Sequence, residues 1–169
     1  MSEKDSIYKG KIIQKGIFNF KDVYGFLYDY LVDENYDVTE TKYVEKLEGN
    51  TKNLEIIWNA TKEVSDYFKF EITATWAVLG LKKVKVKKDD QEIVMDSGSI
   101  EIKFTASLIK DYESRWENNS VLKFMRGMYD RYIIRSRIDS YEVKIWGEVN
   151  EITTQTKSFL AIEGQHKSK

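Results

Sequence analysis

The sequence predicts an α+β domain: an antiparallel sheet of about six or seven strands, one N-terminal helix, and a C-terminal helix or helices packed on the apolar face of the sheet. Two observations carry that expectation. From Tyr36 to about Lys110, apolar and polar residues alternate with a period of two, the pattern of strands with one buried and one wet face. On either side of that stretch the apolar spacing changes to three and four residues, which is the helical period. A length of 169 residues with 41% hydrophobic side chains supplies one packed core, so residues 1–163 are read as a single domain and 164–169 as a disordered tail.

The first element, Ile7 to Lys15, is rich in β-branched residues and interrupted by Gly10, which predicts a strand with a bulge there. Asn19 stands where a helix N-cap belongs, and Asp22 in the first turn complements the helix dipole. Phe20, Val23, Tyr24, Leu27, Tyr30 and Leu31 then form one stripe.

Three runs alternate most regularly. They are Leu54, Ile56, Trp58 and Ala60; then Phe68, Phe70, Ile72, Ala74, Trp76 and Val78; then Ile100, Ile102, Phe104, Ala106 and Leu108. Turn signals stand at Gly49-Asn50, Leu79-Gly80, Asp89-Asp90 and Ser97-Gly98, so Val84–Val86 and Ile93–Met95 read as two further short strands. Beyond Asp111 the period is helical again. Ser114 with Glu117 has the spacing of a capping box, and Asn119 or Ser120 offers a second start. Val121, Met125, Met128, Tyr129, Tyr132 and Ile133 form a broad apolar face that is expected to cover the sheet. A second stripe runs through Ile138, Tyr141, Ile145, Val149, Ile152 and Phe159, with a break expected between Ser136 and Ser140. One long bent helix, or a strand through Tyr141, Val143 and Ile145, are the alternatives.

The order strand, helix, strands, terminal helix resembles the helix-grip superfamily of START and Bet v 1-like domains. That resemblance implies a curved antiparallel sheet wrapped around a long terminal helix, and an apolar cavity between the two. It rests on element order, and no family motif transfers residues to this chain.

The composition excludes several chemistries. Without cysteine there is no disulfide, thiolate nucleophile or cysteine-based zinc site. The single histidine, His166, falls in the tail, away from any fixed partner that acid–base catalysis would need. Gly25, Gly127 and Gly147 belong to no phosphate-binding loop. No catalytic residue, metal or cofactor is therefore expected, and an enzyme is the least favoured class. With 27 basic and 28 acidic residues the chain has no overall attraction for polyanions. A charged N-terminus and the lack of a long apolar run make a cytoplasmic location the default.

Two features remain. The cavity implied by the grip fold would be lined by Trp58, Phe70, Trp76, Phe104, Met125, Tyr129 and Tyr132. The run Lys82, Lys83, Lys85, Lys87 and Lys88 follows the apolar stretch Trp76–Leu81; it would contact an anionic membrane or nucleic acid, or simply protect an edge strand from aggregation. Arg126, Asp130, Arg131, Arg135 and Arg137 add a basic side to the C-terminal helix. The function expected is a structural or protein-interaction domain that meets another protein or itself. The alternatives are an apolar-ligand binder, or a peripheral membrane or nucleic-acid binder acting through the lysine run.

Overall fold

The computed structural model describes residues 2–114 and 120–164. Its elements run β1 (Glu3–Phe18), α1 (Phe20–Asp33), β2 (Asp37–Glu48), β3 (Thr51–Glu63), β4 (Phe68–Lys88), β5 (Gln91–Lys110), α2 (Ser120–Met128), a π-helical turn (Tyr129–Ile133) and α3 (Arg135–Gly164). The chain is α+β, with one antiparallel sheet in the order β1-β5-β4-β3-β2. The strands β2 to β5 form a meander, and β1 closes against the last of them.

Five strands replace the six or seven expected, because β4 and β5 run unbroken through the dipeptides that read as turns. Leu79 pairs with Ser99 and Lys82 with Ser97, so β4 carries one extra residue at a bulge. Gly80 adopts φ +64° there, and its N–H donates to Asn53 Oδ1 at 2.8 Å. Across from it, a Cβ on Gly98 would lie 2.9 Å from the Leu79 carbonyl oxygen, so only glycine admits that approach. Val84–Val86 and Ile93–Met95 are thus the outer halves of long strands. Since β3 stops pairing with β4 at Leu81, Lys82–Lys88 and Gln91–Met95 project as a two-stranded arm.

The bulge expected at Gly10 lies instead between Ser6 and Tyr8. Gly10 stays in register with Phe104 and makes room for the Tyr8 ring, whose hydroxyl oxygen would stand 2.5 Å from a Cβ at that position. The displaced ring packs edge-on against Trp146 of α3, with centroids 6.3 Å apart.

The helix α1 forms as its sequence dictates. Asn19 Oδ1 accepts the Asp22 amide, and Val23, Leu27 and Leu31 are buried on the sheet. The Phe20 amide donates to Asp96 Oδ2 and the Asn19 amide to Glu163 Oε2, both at 3.0 Å. Carboxyl oxygens from β5 and α3 thereby accept the amides at the start of this helix.

The element that covers the sheet differs from the expectation. It is α3, through Ile138, Ile145, Val149, Ile152, Thr156 and Leu160, and not the helix containing Met125. Tyr141 packs on Phe68 and Phe70, and Phe159 stacks on Phe26 with centroids 4.5 Å apart. The break falls at Ile134, before the predicted interval, and helix continues through residues 136–145, which removes the strand alternative. At 30 residues α3 is about 45 Å long. Glu148 ties it to the rest of the fold, accepting from Tyr36 Oη at 2.6 Å and Lys62 Nζ at 3.0 Å. Burial, with the Glu148 carboxylate beside it, pushes the Tyr36 phenol well above its ordinary range.

Among the described residues, no helix is long and apolar enough to cross a membrane. Glu117 and Asn119 as helix starts, the Ile133 side chain, His166 and tail residues 165–169 lie outside the described residues; Gly164 itself ends α3.

Candidate docking face on α2

The helix α2 is amphipathic, and the orientation of its two faces is the reverse of the expected one. Its buried residue is Arg126. The guanidinium reaches three carboxylates from different elements: Glu3 at 3.3 Å on β1, Asp111 at 3.7 Å after β5, and Asp130 at 3.8 Å in the π-helical turn. Asp130 also accepts the Tyr67 hydroxyl at 2.7 Å. Burial, reinforced by that carboxylate, raises the Tyr67 phenol far above its usual range. Beside this cluster Lys110 pairs with Asp5 at 2.7 Å. Burial works against the Lys110 ammonium, but Asp5, Glu3 and Asp130 outweigh it and hold its pKa above that of an ordinary lysine.

A buried charge is tolerated where its partners are in place, and breaking such a set is costly. The Arg126 cluster therefore fixes which side of α2 faces the body. The opposite side is left to solvent: Val121 is 62% exposed, Phe124 70%, Met125 51%, Met128 50% and Tyr132 72%. Their spacing of three, one, three and four residues is a single helical stripe. Next to it lies an open groove of about 970 Å³, lined by Phe124, Met128, Tyr132 and Ile138 together with Lys123, Arg131 and Arg135.

The seven residues nominated as a cavity lining do not converge on one. Trp58, Phe70, Trp76 and Phe104 are sealed in the core, between 0% and 1% exposed. Phe70, Trp76 and Phe104 are 0% exposed, packed into the core with their neighbours. Trp58 and Trp76 meet edge-on at 5.1 Å, and Tyr24 closes on Trp58 at 4.6 Å. Glu40 holds that corner, accepting from Tyr24 Oη at 2.6 Å and Trp58 Nε1 at 3.1 Å. The Tyr24 phenol, burdened first by burial and then by Glu40, is pushed up to about 12. Tyr129 lies half-buried at the seam near Tyr67, whereas Met125 and Tyr132 point away from the sheet.

The lysine run lies on the projecting arm, and part of its charge is already engaged. Lys83 pairs at 2.8 Å with Asp96, the carboxylate that holds the start of α1, and Lys85 approaches Glu92 at 3.8 Å. Lys82, Lys87 and Lys88 are exposed and have no ion-pair partner among the described residues. No group of acidic or histidine side chains among the described residues is arranged to hold a metal ion.

The sequence places Arg126 and Asp130, four residues apart, on a basic side of the C-terminal helix, whereas the fold turns Arg126 inward. The available signal was that spacing inside an apolar stripe, where one charged residue sits opposite the stripe. No protein-family model, curated protein or solved structure matches the chain.

Proposed function

We propose that the protein is a non-enzymatic docking domain, a packed sheet-and-helix body that presents the apolar side of α2 to a partner. The observation that carries this reading is the inversion of α2, with Arg126 inside and Phe124, Met125, Met128 and Tyr132 outside. Contiguous exposed apolar surface costs solubility, and on soluble proteins it marks interaction sites. The apolar-ligand reading has less support, because the aromatic side chains that would line its cavity fill the space themselves. The same holds for contact through the lysine run, since Lys83 and Lys85 face carboxylates. Relation to the helix-grip superfamily is a proposal too: β1 beside the last strand and a long terminal helix on the sheet favour it.

The test is the triple substitution Phe124→Ser, Met125→Ser, Met128→Ser. If the face is a docking surface, the variant melts within a degree or two of the parent. It also loses the fluorescence enhancement that the parent gives to an apolar dye. Were these side chains core, three such truncations would lower the melting temperature by roughly ten degrees or more.

A further inference from the structure

We infer that the α2 face docks on an anionic lipid bilayer surface; this rests on the docking reading above and names its partner. Charge carries the choice. Between Ser120 and Arg137 the chain has five cations, Lys123, Arg126, Arg131, Arg135 and Arg137, and one carboxylate, Asp130. The single charge of Arg126 is turned inward and shared among Glu3, Asp111 and Asp130. Lys123, Arg131, Arg135 and Arg137 are exposed and have no ion-pair partner among the described residues. In the adjoining groove Lys110 is held by Asp5, Glu3 and Asp130 lie against Arg126, and the exposed cations Lys123, Arg131 and Arg135 edge the apolar stripe beside Asp139.

An apolar stripe edged by lysine and arginine, with a tyrosine at one end, is the composition of a helix lying in the plane of a membrane interface. Phe124, Met125 and Met128 would enter the acyl boundary. The cations would meet lipid phosphates at the headgroup level, with long stems that keep the charges in the polar layer. From Val121 to Tyr132 the stripe covers about 16 Å, enough for one shallow contact. A second copy fits worse: a twofold contact through this face would set these cations against their own counterparts. Contact with a bilayer would be peripheral.

The test uses the full chain in vesicle cosedimentation at low salt. One set of vesicles is phosphatidylcholine alone, and the other contains roughly a third phosphatidylserine. The parent is expected to pellet with the anionic vesicles and to be released by salt, as screening requires. Lys123→Gln with Arg131→Gln, and separately Phe124→Ser with Met128→Ser, should each weaken binding about tenfold or more while the melt is kept. The arm variant Lys85→Gln, Lys87→Gln, Lys88→Gln should bind like the parent. A Phe124→Trp probe should shift to the blue on anionic vesicles, which surface adsorption alone would not produce. Equal binding to both vesicle types, no binding at low salt, or loss of binding only in the arm variant would overturn the proposal. If a folded parent ignores vesicles but associates with itself or with an acidic peptide through Phe124 and Met128, lipid docking falls and the docking domain stands. If Phe124→Ser with Met128→Ser melts roughly ten degrees lower, both readings fall.

Discussion

At the scale of single residues, burial decides which side chains carry stability and which are free for another task. Phe104 has no accessible surface and sits in the middle of β5, under α3 and between β1 and β4. Phe104→Ala should cost about 3–5 kcal/mol in urea unfolding, from lost burial and an unfilled cavity. A loss below about half a kcal/mol would mean that the strand is out of register. Glu163 behaves differently. Burial raises its pKa, the Asn19 amide hydrogen bond pulls it partly back, and Asp22 and Asp96 raise it further. The folded chain thus holds that proton more tightly than the unfolded one. The ionised carboxylate costs stability above its raised pKa, and the cost disappears as pH falls toward the usual 4.5. Glu163→Gln keeps an acceptor for the Asn19 amide and removes the charge. It should stabilise at neutral pH by less than about 1 kcal/mol, because solvent screens this partly exposed group. The gain should shrink as the pH is lowered, and a gain constant down to pH 4 would exclude the carboxylate repulsion as its source.

At the scale of elements, what the sequence discloses and what it hides have separate physical causes. The helix α1 was legible because its cap and stripe are local: Asn19, Asp22, Val23, Leu27 and Leu31 lie within four turns. The faces of β3, β4 and β5 were legible because alternation reports burial directly. The number of strands was not, since Leu79-Gly80 and Ser97-Gly98 have the composition of turns. Only their pairing across β4 and β5 makes them a bulge. The orientation of α2 was hidden for a related reason: periodicity shows that a helix has two faces, but not which one the body takes. Arg126 decides that through Glu3 and Asp111, which are 123 and 15 residues away in sequence. Replacing Arg126 with Met would take the guanidinium from the carboxylates of buried Asp111 and half-buried Asp130, and a broken buried ion pair commonly costs about 3–5 kcal/mol. The chain has a cheaper response than global unfolding, which is to release α2 so that water reaches Asp111 and Asp130. Hydrogen exchange should therefore show α2 amides losing protection about tenfold or more, with amides of β4 and β5 unchanged. If the sheet amides moved with them, α2 would belong to the cooperative core.

At the scale of the whole molecule, the long helix, the sheet and α1 share one core, and the apolar side chains of α2 stay outside it. This division bears on the cavity that the helix-grip resemblance implies. A grip fold that stores a ligand leaves a void of roughly 300–1,000 Å³ between sheet and helix, at a cost in packing. Here Ile145, Val149 and Ile152 of α3 are buried in the same core as Phe70, Ile72, Ile102 and Phe104, each with 0–1% of its surface accessible. The groove of about 970 Å³ beside α2 lies outside that core and is open to solvent. A ligand enclosed in the native state would stabilise it by about 2.7 kcal/mol at a hundredfold excess over its dissociation constant. For a chain of this length that corresponds to a rise of roughly 5–10 degrees. A thermal-shift screen with fatty acids, sterols and aromatic metabolites should give no such rise. A weaker shift that disappears in the Phe124→Ser, Met125→Ser, Met128→Ser variant would place the contact on α2. A full shift retained by that variant would mean that the core opens to admit a ligand, and the packed interior would then be a resting state and not the functional one.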